Sequence, residues 1–91
     1  MKIKDVKIKG LNGGVQTIVF FENGYGASVV KHRFSYGSEQ GLFEIAVLRG
    51  DSEKWEICYD TEITCDVLGY QNDEDVAEVL NQINSLPGTG V

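Results

Sequence analysis

Features that mark membrane, secreted and metal-binding proteins are scarce in this sequence of 91 residues. Its longest unbroken apolar runs, such as Ile18 to Phe21, fall far short of the roughly 20 residues that a membrane-spanning helix needs. No apolar signal-peptide segment follows residues 1–5, which contain two lysines and an aspartate. We therefore expect a protein that is neither inserted in a membrane nor secreted.

Cysteine and histidine are equally rare. Cys58 and Cys65 belong to no CxxC or Cys/His cluster, and His32 is the single histidine, so the sequence predicts no metal site and no cofactor. Without a secretion signal, two free thiols are the expected state of the cysteines. The alternative is a disulfide, which is geometrically conceivable if Cys58 lies on a strand and Cys65 in the connection after it.

Positive charge is in short supply. The chain has eight Lys and Arg and 14 Asp and Glu, which gives a net charge of −6. A nucleic acid is therefore not expected as a direct partner. The charge is also uneven, because residues 51–78 hold ten acidic side chains and one lysine, whereas residues 1–9 hold four lysines and one aspartate. Such an acidic region steers a protein onto basic partner surfaces. The alternative is that these carboxylates serve solubility and helix capping.

Apolar residues that alternate with polar ones, interrupted by turn signals, predict about five strands. The first is an edge strand protected by lysines, and the second, Val15 to Phe21, is expected to be buried on both faces. Asn12-Gly13 and Asn23-Gly24 predict tight hairpin turns, the second of type I′. The predicted strands cover residues 2–9, 15–21, 25–36, 42–48 and 55–59.

The C-terminal part of the chain has the pattern of one helix. Asn72 is a suitable N-cap, the next three residues are acidic, and Pro87 ends the segment. Between Asp60 and Gln71 we expect an ordered connection with one short extended or helical piece. The sequence thus predicts a single α+β domain over residues 1–91, with residues 88–91 as a flexible tail. An antiparallel sheet of about five strands, built from hairpins or a meander, is covered on one face by the C-terminal amphipathic helix.

Motifs for catalysis are missing. There is no GxSxG, Walker A, HExxH or dinucleotide-binding pattern, and His32 has no partner residue at a suitable spacing. Asp60, Glu62 and Asp66 are the nearest approach to a carboxylate cluster, but a chain this short has little room for a deep cleft. We therefore expect no enzymatic activity and assign no catalytic residue. Aromatic residues exceed what one helix can cover, so some are expected to be exposed on the open face of the sheet.

Four segments resemble a group of small phage and prophage proteins of unknown function, over about residues 22–86. The matching segments are Asn23–Val30 (NGYGASVV), Phe34–Gly37 (FSYG), Gly41–Leu48 (GLFEIAVL) and Cys58–Thr61 (CYDT). The sequence departs from the family pattern at Glu62, where proline is expected, and at Cys65, where an acidic residue is expected. The resemblance implies a phage origin and the host bacterial cytoplasm, without a mechanism. It points to five candidate partner-binding residues: Tyr36, Asp60, Thr61, Asp66 and Tyr70.

These observations lead to one leading hypothesis and two alternatives. The first is a phage accessory protein that binds a host or phage protein, in its sharper form an acidic inhibitor of a host defence or DNA-processing protein. The first alternative is a structural or assembly protein of the phage particle that forms homo-oligomers. The second alternative is a small carboxylate-dependent hydrolase or nuclease.

Overall fold

A computed structural model describes residues 2–64 and 66–88. These residues form a mostly antiparallel sheet and one C-terminal helix, which confirms the predicted α+β class. The strands are β1 (Ile3–Leu11), β2 (Gly14–Phe21), β3 (Tyr25–Lys31), β4 (Phe43–Gly50), β5 (Trp55–Ile57) and β6 (Leu68–Gln71), and the helix is α1 (Asp73–Asn84). Apart from Gly88, the predicted tail lies outside the described residues, as does Cys65 with its possible disulfide.

The first four strands form a meander in which each strand pairs with the next. β5 and β6 share the remaining edge of β4: β5 pairs near Arg49, and β6 pairs at Phe43 and Ile45. β6 is the short extended piece expected between Asp60 and Gln71, now assigned as a sixth strand. β1 has a neighbour on one side only, as the lysine-rich pattern predicted for an edge strand.

Two hairpin turns show how local sequence sets the backbone. Asn12 and Gly13 both have positive φ, 48° and 78°, as the Asn-Gly signal predicted. The prediction of a type I′ turn at Asn23-Gly24 is wrong. Gly24 has a positive φ but Asn23 does not, and three residues connect β2 to β3. Asn23 instead uses its side chain, which caps the backbone of the hairpin and reaches the helix.

α1 begins with a capping box. The Asn72 side chain accepts a hydrogen bond from the Asp75 amide at 2.8 Å, and the Asp75 carboxylate accepts one from the Asn72 amide at 3.0 Å. Val79 and Ile83 are buried on the sheet, with Val76, Leu80 and Leu86 packed beside them, so the predicted apolar stripe faces the core. The helix packs against β3, β4 and β6.

The side of the sheet under α1, here called the helix face, holds the larger core. Strand register aligns Val6, Val19, Ala27 and Val47 across four strands, and the last three of these are buried. Val15 also lies on the helix face but is 50% exposed. The expectation that β2 is buried on both faces is therefore wrong at its first residues, because α1 does not reach them.

The opposite side, here called the far face, is buried although α1 lies on the other side of the sheet. Ile18, Phe20 and Leu48 there are at most 5% exposed. The Lys7 ammonium donates to the Ser52 carbonyl at 3.4 Å, which joins β1 to the β4–β5 turn. In a flat sheet β1 and β4 would lie about 14 Å apart, at about 4.8 Å per strand. The sheet must therefore curl so that its two ends approach each other over the far face.

β3 ends at Lys31, and the prediction that it continues to Tyr36 is wrong. The Ser35 hydroxyl accepts a hydrogen bond from the His32 amide at 2.9 Å and donates one to the His32 carbonyl at 3.0 Å. This side chain closes a local turn in place of the strand ladder, as serine does in many turns. The chain then leaves the sheet for a loop that contains a 3₁₀ turn at Ser38–Gln40.

We expect Asn23→Ala to lower the free energy of unfolding by about 2 kcal/mol. The Asn23 amide donates to the carbonyls of Ile83, Asn84 and Leu86 at 2.8 to 3.3 Å, so its loss leaves the C-terminal end of α1 without these donors. Urea denaturation measures the change. Asn81→Ala, which removes an exposed amide from α1 itself, is the control and should change stability much less. Equal effects of the two substitutions would contradict a role for Asn23 in holding the helix.

Candidate functional site

The loop between β3 and β4 presents exposed aromatic side chains on a rigid backbone. The His32 Nδ1 atom accepts a hydrogen bond from the Phe34 amide at 3.1 Å, which fixes the turn and leaves the Phe34 ring outside it. Phe34 is 70% exposed, and its ring centroid lies 6.0 Å from the Arg33 guanidinium carbon. The loop is thus ordered by polar contacts, while its largest apolar side chain contacts solvent.

Tyr36 is held from two sides. Its amide donates to the Glu44 carboxylate at 3.0 Å, and its carbonyl accepts from the Tyr70 amide at 3.3 Å. Glycine is required where the loop meets β6, because a Cβ added at Gly69 would lie 2.7 Å from the Tyr36 Cβ. A Cβ at Gly37, whose φ is 95°, would lie 3.0 Å from the Tyr70 Cα. This close approach brings Tyr36 and Tyr70 together.

Tyr70 itself has a strained backbone. Its φ of 58° lies in the left-handed region, which costs a side chain with a Cβ roughly 1 to 2 kcal/mol. Bulky residues rarely adopt this conformation, and strained positions cluster at functional sites. Since 56% of the residue is exposed, burial of the side chain does not account for the tyrosine at this position.

We call Phe34, Tyr36 and Tyr70 the aromatic patch. Tyr36 is 61% exposed, so all three side chains are more exposed than buried. A shallow depression of about 230 Å³ lies among them, lined by residues 33–40 and Tyr70. The patch lies on the loop and on β6 and not on the open face of the sheet. The expectation that some aromatic residues are exposed on that face is confirmed at Trp55, which pairs with Gly50 on the far face and is 40% exposed.

Of the five residues predicted as a partner site, the structure brings two together, Tyr36 and Tyr70. The other three lie in the connection between β5 and β6. Asp60 contacts Arg49, which lies five residues along β4 from Glu44, about 17 Å in an extended strand. The predicted site is therefore divided between the two ends of β4.

Each of these three residues has a local role. Asp60 forms an ion pair with Arg49 at 3.1 Å. The Thr61 hydroxyl accepts a hydrogen bond from the Thr64 amide at 3.4 Å and donates one to its carbonyl at the same distance. The Asp66 carboxylate accepts one from the Val67 amide at 2.7 Å. These contacts order the connection, and they explain the residue types without a ligand.

Arg49, Cys58 and Asp60 form a small polar cluster. The Cys58 thiol donates to the Asp60 carboxylate at 2.9 Å, and the Arg49 guanidinium lies 3.3 Å from the sulfur. Burial, followed by the hydrogen bond to Asp60, raises the pKa of the Cys58 thiol. The same thiol hydrogen bond and then the Arg49 charge lower the pKa of Asp60. A buried thiol with a raised pKa is a poor nucleophile, so the cluster has the chemistry of a structural contact.

Sequence reasoning missed Phe34 and Arg33 as parts of the site. The prediction that β3 continues to Tyr36 placed Phe34 on a face of the sheet, whereas Phe34 lies at the tip of a loop. A signal for the turn was present, because Ser35 and Gly37 both disfavour a strand interior.

Two further observations bear on the chemistry that the described residues allow. Within residues 2–64 and 66–88, no three His, Cys, Asp or Glu side chains are gathered into a group that could hold a metal ion. The helix in this part of the chain is not long and apolar enough to cross a membrane.

We expect Tyr70→Gly to raise the free energy of unfolding by about 1 kcal/mol, because glycine adopts a positive φ without a Cβ clash. Urea denaturation measures this. Tyr59→Gly is the matched control, since Tyr59 is also half-exposed but has no positive φ, and it should lower stability. A loss of stability in Tyr70→Gly equal to that in Tyr59→Gly would argue against strain at Tyr70.

The Asp60 carboxylate makes stability depend on pH in acid. Its pKa in the folded protein lies below its ordinary value of 3.8, so its stabilising effect is present above that value and is lost as the pH falls through the folded pKa. The stability difference between wild type and Asp60→Asn should be constant from about pH 5 to 7 and shrink below about pH 4, at low salt. Glu62→Gln is the control, because it removes a charge from the same connection and the described contacts give Glu62 no side-chain hydrogen bond. A difference that persists unchanged at pH 2 would contradict this assignment.

Comparison of the chain with protein-family models, curated proteins and solved structures found no match.

Proposed function

We propose that this chain is a phage accessory protein that acts by binding a partner protein. The observation that carries the proposal is the aromatic patch: three aromatic side chains, each more than half exposed, on a backbone ordered by hydrogen bonds. The phage origin and the host bacterial cytoplasm come from the sequence resemblance over residues 22–86.

The composition of the patch favours a protein partner. Tyrosine, phenylalanine and arginine are enriched in interface centres, where a few buried anchors supply most of the binding energy. Arg33 beside Phe34 adds a cation to this set. Because the loop is already ordered, its binding to a partner requires little loss of conformational entropy.

Charge supports the narrower hypothesis of an acidic inhibitor of a host defence or DNA-processing protein. Asp73, Glu74 and Asp75 follow Tyr70 within five residues and form the first turn of α1. Such charges would steer a basic partner surface toward the patch, and the attraction would weaken with salt. A particle protein that forms homo-oligomers through the same patch is the alternative, which sedimentation of the purified protein distinguishes.

A capture experiment tests the proposal. Immobilised protein is exposed to bacterial lysate and washed at low and then high salt, and bound proteins are quantified by mass spectrometry. Phe34→Ala should reduce the captured partner more than tenfold, because a central interface aromatic contributes about 2 kcal/mol or more. Tyr59→Ala, which removes an exposed aromatic outside the patch, should leave capture unchanged.

Charge variants separate the two acidic regions. The double variant Asp73→Asn, Glu74→Gln should weaken capture at low salt. The double variant Asp60→Asn, Asp66→Asn tests whether the carboxylates between β5 and β6 contribute to capture. Equal capture by wild type and Phe34→Ala would remove the aromatic patch from the proposal. A wild-type protein that sediments as a stable oligomer, and a Phe34→Ala variant that sediments as a monomer, would favour the particle protein.

A further inference from the structure

The part of the helix face that α1 leaves uncovered carries exposed aliphatic side chains. Ile8 on β1 is 71% exposed, and Val15 on β2 is half-exposed. Register places Ile8 opposite Thr17, and it places Val15 opposite Lys31, which in turn lies beside Phe43. These five residues form one continuous surface, which we call the open groove.

The open groove is concave. A cavity of about 670 Å³ lies along it, with Val15, Thr17, Lys31 and Phe43 in its lining. Its walls come from the β1–β2 turn at Gly13 and from the β3–β4 loop at residues 38–41. The far-face contact between Lys7 and Ser52 lies on the other side of the sheet and does not obstruct it.

The direction of α1 explains why this area is open. The C-terminal end of the helix is held by the Asn23 side chain and lies near Lys2, whose amide donates to the Asn84 side chain at 3.4 Å. Its body packs on β3, β4 and β6, so it crosses the sheet obliquely away from the outer end of the β1–β2 hairpin.

The charges around the groove are mainly positive. Among the described residues that line it, the cations are Lys31 and Arg33 and the carboxylate is Glu39. The Lys31 ammonium lies 4.7 Å from the centroid of the Phe43 ring. Within the part of the chain that the structure describes, the one ion pair is between Arg49 and Asp60, so Lys31 and Arg33 are not neutralised by carboxylates there. An apolar floor with cations at its side complements a helix that has an apolar stripe and acidic flanks.

A second copy of this chain fits the groove less well. In a symmetric dimer each residue of the patch meets the same patch of the partner, so Lys31 and Arg33 would be brought toward their own copies.

We propose that the open groove binds an acidic amphipathic helix of a different protein chain, which lies across β2 and β3 between the β1–β2 turn and the β3–β4 loop. The groove shares Arg33 with the aromatic patch, but the proposal depends on Ile8, Val15 and Lys31 and not on Phe34, Tyr36 or Tyr70. The protein would then have two docking surfaces of opposite charge.

The test uses a designed 15-residue peptide, stapled as a helix, with leucines at i, i+3, i+4 and i+7 and glutamates on both flanks. Fluorescence anisotropy measures affinity, and ¹⁵N amide shifts of the protein locate the contact. We expect a Kd in the micromolar range, with shifts concentrated at Val15, Thr17 and Lys31. Val15→Glu should weaken binding more than tenfold, and Ile57→Glu, a substitution of a similarly exposed aliphatic residue on the far face, should not.

Charge reversal provides the second measurement. Lys31→Glu with Arg33→Glu should weaken the glutamate peptide at least tenfold and strengthen a peptide with lysines in place of the glutamates. If Val15→Glu fails to fold by circular dichroism, Ile8→Glu on the edge strand replaces it. The Phe34→Ala variant should bind the peptide like wild type, so this result is separate from partner capture through the aromatic patch.

Three outcomes would overturn the proposal. The first is the absence of groove shifts with the glutamate peptide. The second is binding that survives both Val15→Glu and Ile8→Glu, or that an unstapled extended peptide reproduces through the β1 edge. The third is a wild-type dimer that Val15→Glu dissociates, since a second copy would then be the occupant.

Discussion

A single twelve-residue helix is too small to cover both faces, or even one whole face, of this six-stranded sheet, and most features of the molecule follow from that shortage. The far face is buried without a second layer because the sheet curls and brings the β4–β5 turn to β1 through Lys7. On the helix face, α1 covers the centre and leaves the outer end of the β1–β2 hairpin open. The apolar side chains at this end stay exposed because α1 does not cover them.

The two proposed surfaces lie on either side of one loop. Arg33, Ser38 and Glu39 line both the depression in the aromatic patch and the cavity of the open groove. One side of the loop combines aromatic rings with the acidic start of α1, and the other combines aliphatic side chains with Lys31. The two proposals together place two partner-binding surfaces next to each other in this small domain.

Local signals in the sequence were sufficient for much of the fold. The N-cap at Asn72, the three acidic residues after it and the amphipathic pattern predict α1, because capping and helical periodicity depend on residues within one or two turns. The Asn12-Gly13 turn depends on two residues and was equally accessible. Both features are formed by contacts between residues that are close together in the sequence.

Features that depend on distant contacts could not be predicted in the same way. The curl of the sheet depends on a contact between Lys7 and Ser52, 45 residues apart. β6 was not assigned because its four residues have no clear alternation and pair with a strand more than 20 residues earlier. Of the predicted partner-binding residues, Tyr36 and Tyr70 lie together because Gly37 and Gly69 let the loop approach β6 closely. Asp60 lies at the other end of β4.

The order of the strands has a consequence for how the chain folds. β1 to β4 form by successive pairing of neighbouring segments, so their contacts close mainly short loops and can develop early. β6 reaches β4 only after β5 and the connection that follows it, and α1 packs against β6. Asn23 lies in the meander but bonds to the last turn of α1, so it ties the N-terminal hairpins to the C-terminal helix. The loss of either part therefore lowers the stability of the other.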